Sequence, residues 1–305
     1  IRSEKLQRLA IKVLVNNIEA CDEVWVVSNG AGENLRTLGY TGDYRVMENG
    51  VDFVRGRADD AAIAKIGAAH GIADDEPVLL FVGRMMWYKG IRILLDAARL
   101  LRNEGLRFRL LFVGEGGDFE EIKAYAETLR LGETCIFAGA QRDRERLRAY
   151  FCRATMFVFP STFDTNGIVV REAAACGLAS MLIAGSCAAE GITDGRNGIL
   201  CEENAESAAK AMRFACKNPQ VLREIGMHAM QEIYISWETA VRAAYDRYAE
   251  IDALHRAGAY KERRVPLDSV YGTLAELIKE FNRWRSLPTR KKEKADAQKG
   301  DALDE

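Results

Sequence analysis

Short apolar runs alternate with amphipathic helical segments over the first 200 or so residues of the chain. The apolar runs predict six strands, at 24–27, 78–82, 107–113, 135–138, 156–159 and 180–183. Two of them, VLLFV and RLLFV, are almost continuously apolar, which is typical of strands that are buried on both faces. The alternation therefore predicts an α/β fold: a Rossmann-like parallel sheet with helices on both faces.

Helical periodicity fills the gaps between these strands and dominates the rest of the chain. Apolar residues share one helical face around 91–101, 122–129 and 147–151. Farther on, Asn204 is expected to cap a helix and Pro219 to begin the next. Two further helices are predicted over 237–255 and 267–284. The dense mixture of Lys, Asp and Glu near the end predicts a disordered tail.

The segment 159–177, FPSTFDTNGIVVREAAACG, has the most informative chemistry of the chain. A buried strand leads to a Pro-Ser corner, Asp164 follows in a loop, and Gly167 opens a helix that contains Glu172. The same two acids, taken alone, are also typical of an ordinary loop acid and an exposed helical glutamate. Neighbouring motifs are needed to decide between these interpretations.

The predicted helix start at Gly167 suits an anion. The N–H groups of Gly167, Ile168 and Val169 lie at the positive end of the helix dipole without intrahelical acceptors, which favours a phosphate. Glu172 lies farther along the helix, and its side chain leans back toward the start. We expect Glu172 to accept hydrogen bonds from a ribose diol and Asp164 to accept them from a sugar beyond the phosphates.

Two cations follow the buried strand 78–82. Gly83 and Arg84 end this strand, and Lys89 begins the next predicted helix. A planar guanidinium and a mobile ammonium at the carboxyl edge of a parallel sheet suit a diphosphate. The alternative is a pair of solvated basic residues in a loop. Trp87, between them, is predicted to belong to the core.

The turn VGEGG at 113–117 is similar to a dinucleotide-binding fingerprint, but Phe119 stands where the third glycine belongs. We therefore predict a tight turn at Gly114 through which the backbone approaches a ligand other than NAD.

Three other loops are turns by composition. ENGVD at 48–52 contains an Asn-Gly pair, and 194–198 predicts a hairpin-like turn. The loop 185–191 consists mostly of small residues, and Glu190 in it is a candidate hydrogen-bonding group. An ordinary surface turn without such a role is an equally good interpretation of this loop. Cys187 has no His nearby in the sequence, which argues against a thiol nucleophile.

Composition narrows the function classes. The chain has 305 residues, of which 48% are hydrophobic and 29% charged, with a formal net charge of −2. This balance is typical of a soluble globular protein and gives no argument for nucleic acid. Seven cysteines without a C-x-x-C pair predict reduced thiols, and three scattered histidines argue against a metal site. The chain begins without Met and inside a helical pattern, which predicts a fragment, and we expect no signal peptide.

Taken together, these motifs resemble the donor-binding half of a GT-B glycosyltransferase of the retaining family four, the glycosyl transferases group 1. The matching segments are NGVD, VGR with KG, VGEG, FPS, DTNGIVVRE and EGITDGRNG, in the family's order between about residues 49 and 198. Each segment is weak alone, but six in order are specific. The family's usual signature is a glutamate, seven residues and a second glutamate.

The resemblance implies roles for individual residues. It implies a nucleotide-diphosphate sugar donor, with Arg84 and Lys89 on the diphosphate and no required cofactor or metal. The donor sugar would meet Asp164. The remaining donor-binding residues that we carry over are Gly83, Gly114, Phe137, Ala138, Asn166, Gly167, Ile168, Val169 and Glu172, with the backbone near Phe137 and Ala138 at the base.

The sequence departs from the family pattern at two positions. Asp164 replaces the usual glutamate and is one methylene shorter, and Asn166 stands where Phe or Pro is frequent. The resemblance also divides the chain into a remnant of an acceptor-binding domain (1–42), a nucleotide-sugar-binding domain (43–235), C-terminal helices (236–286) and a tail (287–305). Most of the acceptor-binding domain would then be missing.

The sequence therefore predicts transfer of a sugar, with retention, to an unidentified saccharide or lipid acceptor. UDP-glucose is a guess for the donor. A nucleotide-sugar-binding half that works with a separate acceptor-binding chain and a nucleotide-sugar epimerase are the alternatives. We expect a cytoplasmic protein, and basic residues beside aromatics in 267–284 leave peripheral contact with the inner face of the membrane open.

Overall fold

The structure is a computed structural model that describes residues 4–260, 274–275 and 277–279. Its centre is a six-stranded sheet in the order β5-β4-β3-β6-β7-β8, and every neighbouring pair is parallel. The strands are β3 (Val78–Val82), β4 (Arg109–Val113), β5 (Cys135–Phe137), β6 (Met156–Phe159), β7 (Ser180–Ile183) and β8 (Ile199–Cys201). The prediction of an α/β fold with a parallel sheet is confirmed.

Helices flank this sheet. They are α3 (Asp60–Ala69), α4 (Ile91–Asn103), α5 (Phe119–Thr128), α6 (Arg144–Arg153), α7 (Ile168–Ala175), α8 (Ala205–Lys217) and α9 (Pro219–Glu232). In α4 the buried residues Ile91, Leu94 and Ala98 recur at helical spacing and belong to the core. The strands β3 and β6 are buried along almost their whole length, because helices cover both faces.

The strand order reverses between β3 and β6. The chain moves outward through β4 and β5 on one side, and then returns to the centre and moves outward through β7 and β8 on the other. Loops that leave the carboxyl ends of β3 and β6 therefore diverge and leave a crevice between them, which is where open parallel sheets bind ligands.

A smaller unit precedes the main sheet. It comprises α1 (Glu4–Glu19), β1 (Trp25–Val26), α2 (Asn29–Thr37) and β2 (Arg45–Val46), and β1 and β2 pair in parallel. Helix α10 (Trp237–Arg256) returns to this unit: the Tyr248 ring lies 4.8 Å from that of Trp25. Arg247 binds the carboxylate of Glu23 and, through hydrogen bonds, lowers the pKa of Glu23 to about 2.

Several expectations need correction. Helix α2, strand β2, helix α3 and strand β8 were not predicted, since they are short or lack a strong apolar pattern. The turn at 194–198 is present, but β8 after it runs parallel to β7, so it is not part of a hairpin. The 3-10 turn Trp87–Lys89 precedes α4, so Lys89 lies before this helix and not at its start.

Other expectations fall outside what the structure describes or stay predictions. The predicted helix at 267–284 lies outside the described residues apart from 274–275 and 277–279, as does the tail. The proposed domain division remains a prediction; its first boundary falls between β1 and β2. In the described part of the chain, no helix has the length and apolar character needed to cross a membrane.

Gly226 sets the distance between α9 and the end of α7, the helix that contains Glu172. A Cβ on Gly226 would lie 2.0 Å from the carbonyl oxygen of Gly177. We therefore expect Gly226→Ala to lower the free energy of unfolding by about 1–3 kcal/mol, because the backbone of one element must move. Urea denaturation measures this change.

Gly67→Ala in α3 is the matched control. Its added Cβ would lie 3.3 Å from the Ile72 carbonyl oxygen, a contact that a small shift relieves. Alanine also favours a helix by about 0.8–1.0 kcal/mol over glycine, so we expect Gly67→Ala to be neutral or stabilising. Equal losses of stability in the two variants would contradict the role of the α9 contact.

Candidate functional site

A cavity of about 410 Å³ opens at the carboxyl ends of β3 and β6, in the crevice that the reversal of strand order creates. It brings together most of the residues singled out from the sequence. Those that line it are Gly83, Arg84, Lys89, Asp164, Asn166, Gly167, Ile168, Val169 and Glu172. Gly114, Phe137 and Ala138 do not line it.

A larger cavity of about 670 Å³ lies at the opposite edge of the sheet. Pro77, Thr155 and Leu178, which line it, come just before β3, β6 and β7. Ligands of open parallel sheets bind at the carboxyl ends of the strands, so the smaller cavity is the candidate site.

Lys89 and Asp164 form an ion pair at the centre of this site. The ammonium of Lys89 donates to Asp164 Oδ2 at 2.7 Å, and the hydroxyl of Ser161 donates to the same oxygen at 2.7 Å. Lys89 is only 7% exposed, and a buried cation without a counter-ion would be strongly disfavoured. The two side chains that the sequence predicted to meet different parts of a ligand thus meet each other.

Backbone packing determines where Lys89 lies. Gly90, directly after it, has φ +74°, and a Cβ there would lie 2.2 Å from the carbonyl oxygen of Pro160. Only glycine tolerates both the conformation and the contact. The loop after β3 is therefore packed against the Pro-Ser corner after β6, and this contact aligns Lys89 with Asp164.

Arg84 occupies the rim of the cavity. Its side chain is exposed, and the guanidinium carbon lies 5.7 Å from the centre of the Tyr88 ring. Trp87, predicted to be a core residue, is partly buried and packs against the core. The cation at position 84 thus faces solvent, whereas the cation at position 89 is buried.

The glycines of the turn after β4 serve packing. Gly114 has φ +148°, and a Cβ there would lie 1.9 Å from the carbonyl oxygen of Gly83. A Cβ on Gly116 would lie 2.3 Å from the carbonyl oxygen of Met85. These two contacts explain why glycine stands at both positions, and the expectation that the backbone at Gly114 approaches a ligand stays a prediction.

Helix α7 begins beside the cavity, as predicted. Gly167 is its N-cap with φ +61°, and none of the described side chains caps the helix. The first helical hydrogen bond runs from the Val170 N–H to the Gly167 carbonyl at 2.8 Å. The N–H groups before Val170 make no helical hydrogen bond. They point along the helix axis toward the start of α7, which lies at the cavity, as in anion-binding helix starts.

Glu172 lies about one and a half turns into α7 and is 9% exposed. Arg144, at the start of α6, donates to Glu172 Oε1 at 2.6 Å and also binds Asp52. Burial raises the pKa of Glu172, and the hydrogen bond from Arg144 opposes that rise. Sequence reasoning missed Arg144, because nothing distinguishes it from its neighbours in the arginine-rich run RDRERLR.

The loop between Asp164 and Gly167 is attached to the N-terminal unit. The side-chain amide of Asn166 donates to the carbonyl of Val27, and the hydroxyl of Ser28 donates to the carbonyl of Thr165. Asn166 Oδ1 is buried and has no hydrogen-bond partner in the part of the chain that the structure describes. Asn166 thus forms a contact that Phe or Pro could not make.

Glu190 makes a second connection to this unit. Its carboxylate accepts hydrogen bonds from the N–H groups of Asn29 and Gly30, at 2.9 and 3.1 Å, at the start of α2. The candidate hydrogen-bonding role of Glu190 is therefore confirmed, with α2 as its partner. Nearby, burial raises the pKa of Cys187, which disfavours the thiolate form that a nucleophile needs.

Phe137 and Ala138 lie at β5, two strands away from β3. The ring of Phe137 stacks on that of Phe112 at 5.1 Å, and the carbonyl of Ala138 accepts from the Gln141 side chain at 3.3 Å. Their assignment to a nucleotide base stays a prediction. Among the described residues, no group of three or more His, Cys, Asp or Glu is arranged to bind a metal ion.

Two curated proteins illustrate what the chain is similar to in sequence. Over 254 residues the chain is 27% identical to alpha-maltose-1-phosphate synthase of Mycolicibacterium smegmatis, covering 77% of this chain and 65% of that protein. It is 28% identical over 242 residues to D-inositol 3-phosphate glycosyltransferase 1 of Catenulispora acidiphila, covering 76% of this chain and 55% of that protein. The chain thus spans less than two thirds of the length of these curated relatives.

Solved structures share the fold. HepE of Anabaena, crystallised with UDP and glucose, superimposes with a TM-score of 0.71 at 19% identity, covering 79% of this chain and 67% of that one. Sucrose-phosphate synthase of Thermosynechococcus elongatus gives a TM-score of 0.72 at 25% identity, covering 83% and 64%. The parallel sheet and its flanking helices thus match the GT-B glycosyltransferase fold.

A family model described as "Glycosyl transferases group 1" matches residues 63–231, which is more than half of the chain. The matched region contains β3 to β8 and all the residues that line the candidate cavity except Asn49. The protein therefore belongs to the glycosyl transferases group 1 family.

Proposed function

We propose that this chain binds a nucleoside-diphosphate sugar in the cavity between β3 and β6 and transfers its sugar, with retention, to a saccharide or lipid acceptor. One observation carries the proposal: the cavity combines Arg84, Lys89 and the start of α7 at one place, with two carboxylates beside them. Two cations and a helix start suit a diphosphate, and carboxylates suit the hydroxyls of two sugars. HepE, which has the same fold, was crystallised with UDP-glucose, so this donor is the first to test.

The positive groups would act on the leaving group. As the bond between the sugar and the diphosphate breaks, negative charge grows on the diphosphate oxygens. Lys89 is buried and already positioned by its contacts, so it would stabilise that charge with little reorganisation. A bound diphosphate would compete with Asp164 for Lys89 and free the carboxylate to accept hydrogen bonds from the donor sugar.

Glu172 would bind the other end of the donor. Its position in the second turn of α7 places it beyond the helix start that would meet the phosphates. An ionised carboxylate accepts two hydrogen bonds from a vicinal diol, which suits a ribose.

A thermal-shift screen of the 305-residue chain against UDP-, GDP- and ADP-sugars tests this function. A ligand that binds the folded state raises its stability as the logarithm of concentration above the dissociation constant. We expect one nucleotide class to stabilise the chain and the matching nucleoside, without phosphates, to stabilise it far less. If no nucleotide or nucleotide sugar raises the melting temperature, the proposal is wrong.

Replacing the two cations tests the diphosphate assignment. Arg84→Met should weaken binding of the nucleoside diphosphate about 10-fold, and adding Lys89→Met should weaken it about 100-fold or more, because each charged hydrogen bond contributes about 1.5–3 kcal/mol. Isothermal titration calorimetry measures both affinities. Arg99→Met, on the exposed face of α4, is the control and should bind normally. Near-normal binding by the double variant would refute the assignment.

Asp164→Asn tests the donor-sugar contact. The amide has the shape of the carboxylate but lacks its charge, which frees Lys89 for the diphosphate in both ligands. We therefore expect affinity for the nucleotide sugar to fall about 10-fold relative to affinity for the nucleoside diphosphate. The readout is the ratio of the two dissociation constants. Asp246→Asn, on α10 and outside the cavity, is the control. A ratio equal to that of the unmodified protein would show that Asp164 does not touch the sugar.

A further inference from the structure

Arg144 connects two acidic residues from distant parts of the sequence. Its Nε donates to Asp52 Oδ2 at 3.0 Å, and its Nη2 donates to Asp52 Oδ1 and to Glu172 Oε1. The guanidinium carbon also lies 4.4 Å from the centre of the Phe53 ring. Asp52 and Phe53 follow the Asn-Gly turn, so the loop after this turn binds the side chain of Arg144.

The contacts with Asp52 and Phe53 matter because much of the Arg144 side chain is exposed to solvent. Its side chain is 42% exposed, whereas that of Glu172 is 11% exposed. An exposed arginine paired with a single acid contributes little, since ordering its long side chain opposes the attraction. Two hydrogen bonds to Asp52 and the contact with the Phe53 ring fix the plane of the guanidinium that donates to Glu172. The orientation of Oε1 is thereby fixed, and Oε2 has no donor among the described residues.

The contact with Arg144 favours the ionised form of Glu172 against the rest of its surroundings. Burial raises the pKa of Glu172 and so favours the neutral acid; Arg144 opposes this, and the charge of Asp52 adds to the rise. The other charged groups that line the cavity are Arg84, Lys89 and Asp164, of which the last two neutralise each other. Within the described part of the chain, Arg144 is thus the cation in direct contact with Glu172.

We propose that Arg144 is a positioning residue of the nucleotide site. Held by its contacts with Asp52 and Phe53, it orients Glu172 as the acceptor for the ribose diol of the donor. This inference rests on the proposed function, which places the ribose at Glu172. It gives the NGVD turn a part in the site, because Asp52 acts on the ligand through Arg144.

The test compares nucleotides that differ only in the ribose hydroxyls. UDP, GDP and ADP are each paired with the 2′,3′-dideoxy analogue, and dissociation constants are measured by calorimetry at pH 6 and pH 8 with the full chain. The readout is the preference for the ribonucleotide. In the unmodified protein we expect a preference of about 10- to 100-fold, since two hydrogen bonds to a carboxylate are lost with the diol.

Arg144→Met should abolish most of this preference, and what remains should be larger at pH 8 than at pH 6. Without the arginine the pKa of Glu172 rises further, so the carboxyl is more protonated at the lower pH and ionises as the pH rises. Arg144→Lys keeps a positive charge but loses the planar guanidinium with its several N–H donors, so it should show an intermediate preference for the ribonucleotide. A purely structural role would weaken both nucleotides of a pair equally and independently of pH, and that result would overturn the inference.

Two further variants separate the inference from the proposed function. Glu172→Gln should lose the preference at both pH values, while Arg142→Met, an exposed arginine in the same run that does not line the cavity, should behave like the unmodified protein. If Glu172→Gln loses the preference and Arg144→Met keeps it, only the role of Arg144 is wrong. If Glu172→Gln keeps the preference, or if none of the three nucleotides binds, the ribose assignment falls and the role of Arg144 falls with it.

Discussion

The site depends on one constraint of topology, the reversal of strand order between β3 and β6. Parallel strands send all their carboxyl ends to one edge, and the reversal makes the two central loops diverge there. One loop contains the two cations and the other contains Asp164 and the start of α7. Without the reversal, the helices that follow both strands would cover the same face and fill the space between the loops.

Charge compensation governs how this crevice is lined. Lys89 is buried and paired with Asp164, and Glu172 is buried and paired with Arg144. A buried charge is tolerated only when a counter-charge and hydrogen bonds replace water, and each pair supplies both in a partly closed pocket. The same pairs set the chemistry that the cavity offers. In the function that we propose, one pair offers an ammonium to a diphosphate and the other offers a carboxylate to a diol.

Contacts with the N-terminal unit hold the loop between these two pairs. Asn166 and Thr165 bond to Val27 and Ser28, and Glu190 bonds to the first N–H groups of α2. These bonds join residues that are far apart in the chain. The small unit at the start of the chain therefore supports the loop that contains Asp164, and Tyr248 of α10 packs against Trp25 of that unit.

The sequence by itself determined five of the six strands of the main sheet, the cations at the end of β3 and the helix that starts at Gly167, because apolar periodicity and glycine placement are local signals. It also indicated the family, through six short motifs in order. Only the tertiary structure showed that Lys89 pairs with Asp164, that Gly114 makes room for Gly83, and that Arg144 joins Asp52 to Glu172. Those pairings join residues from different loops, and an arginine in a basic run has the same local pattern whether it faces solvent or a buried carboxylate.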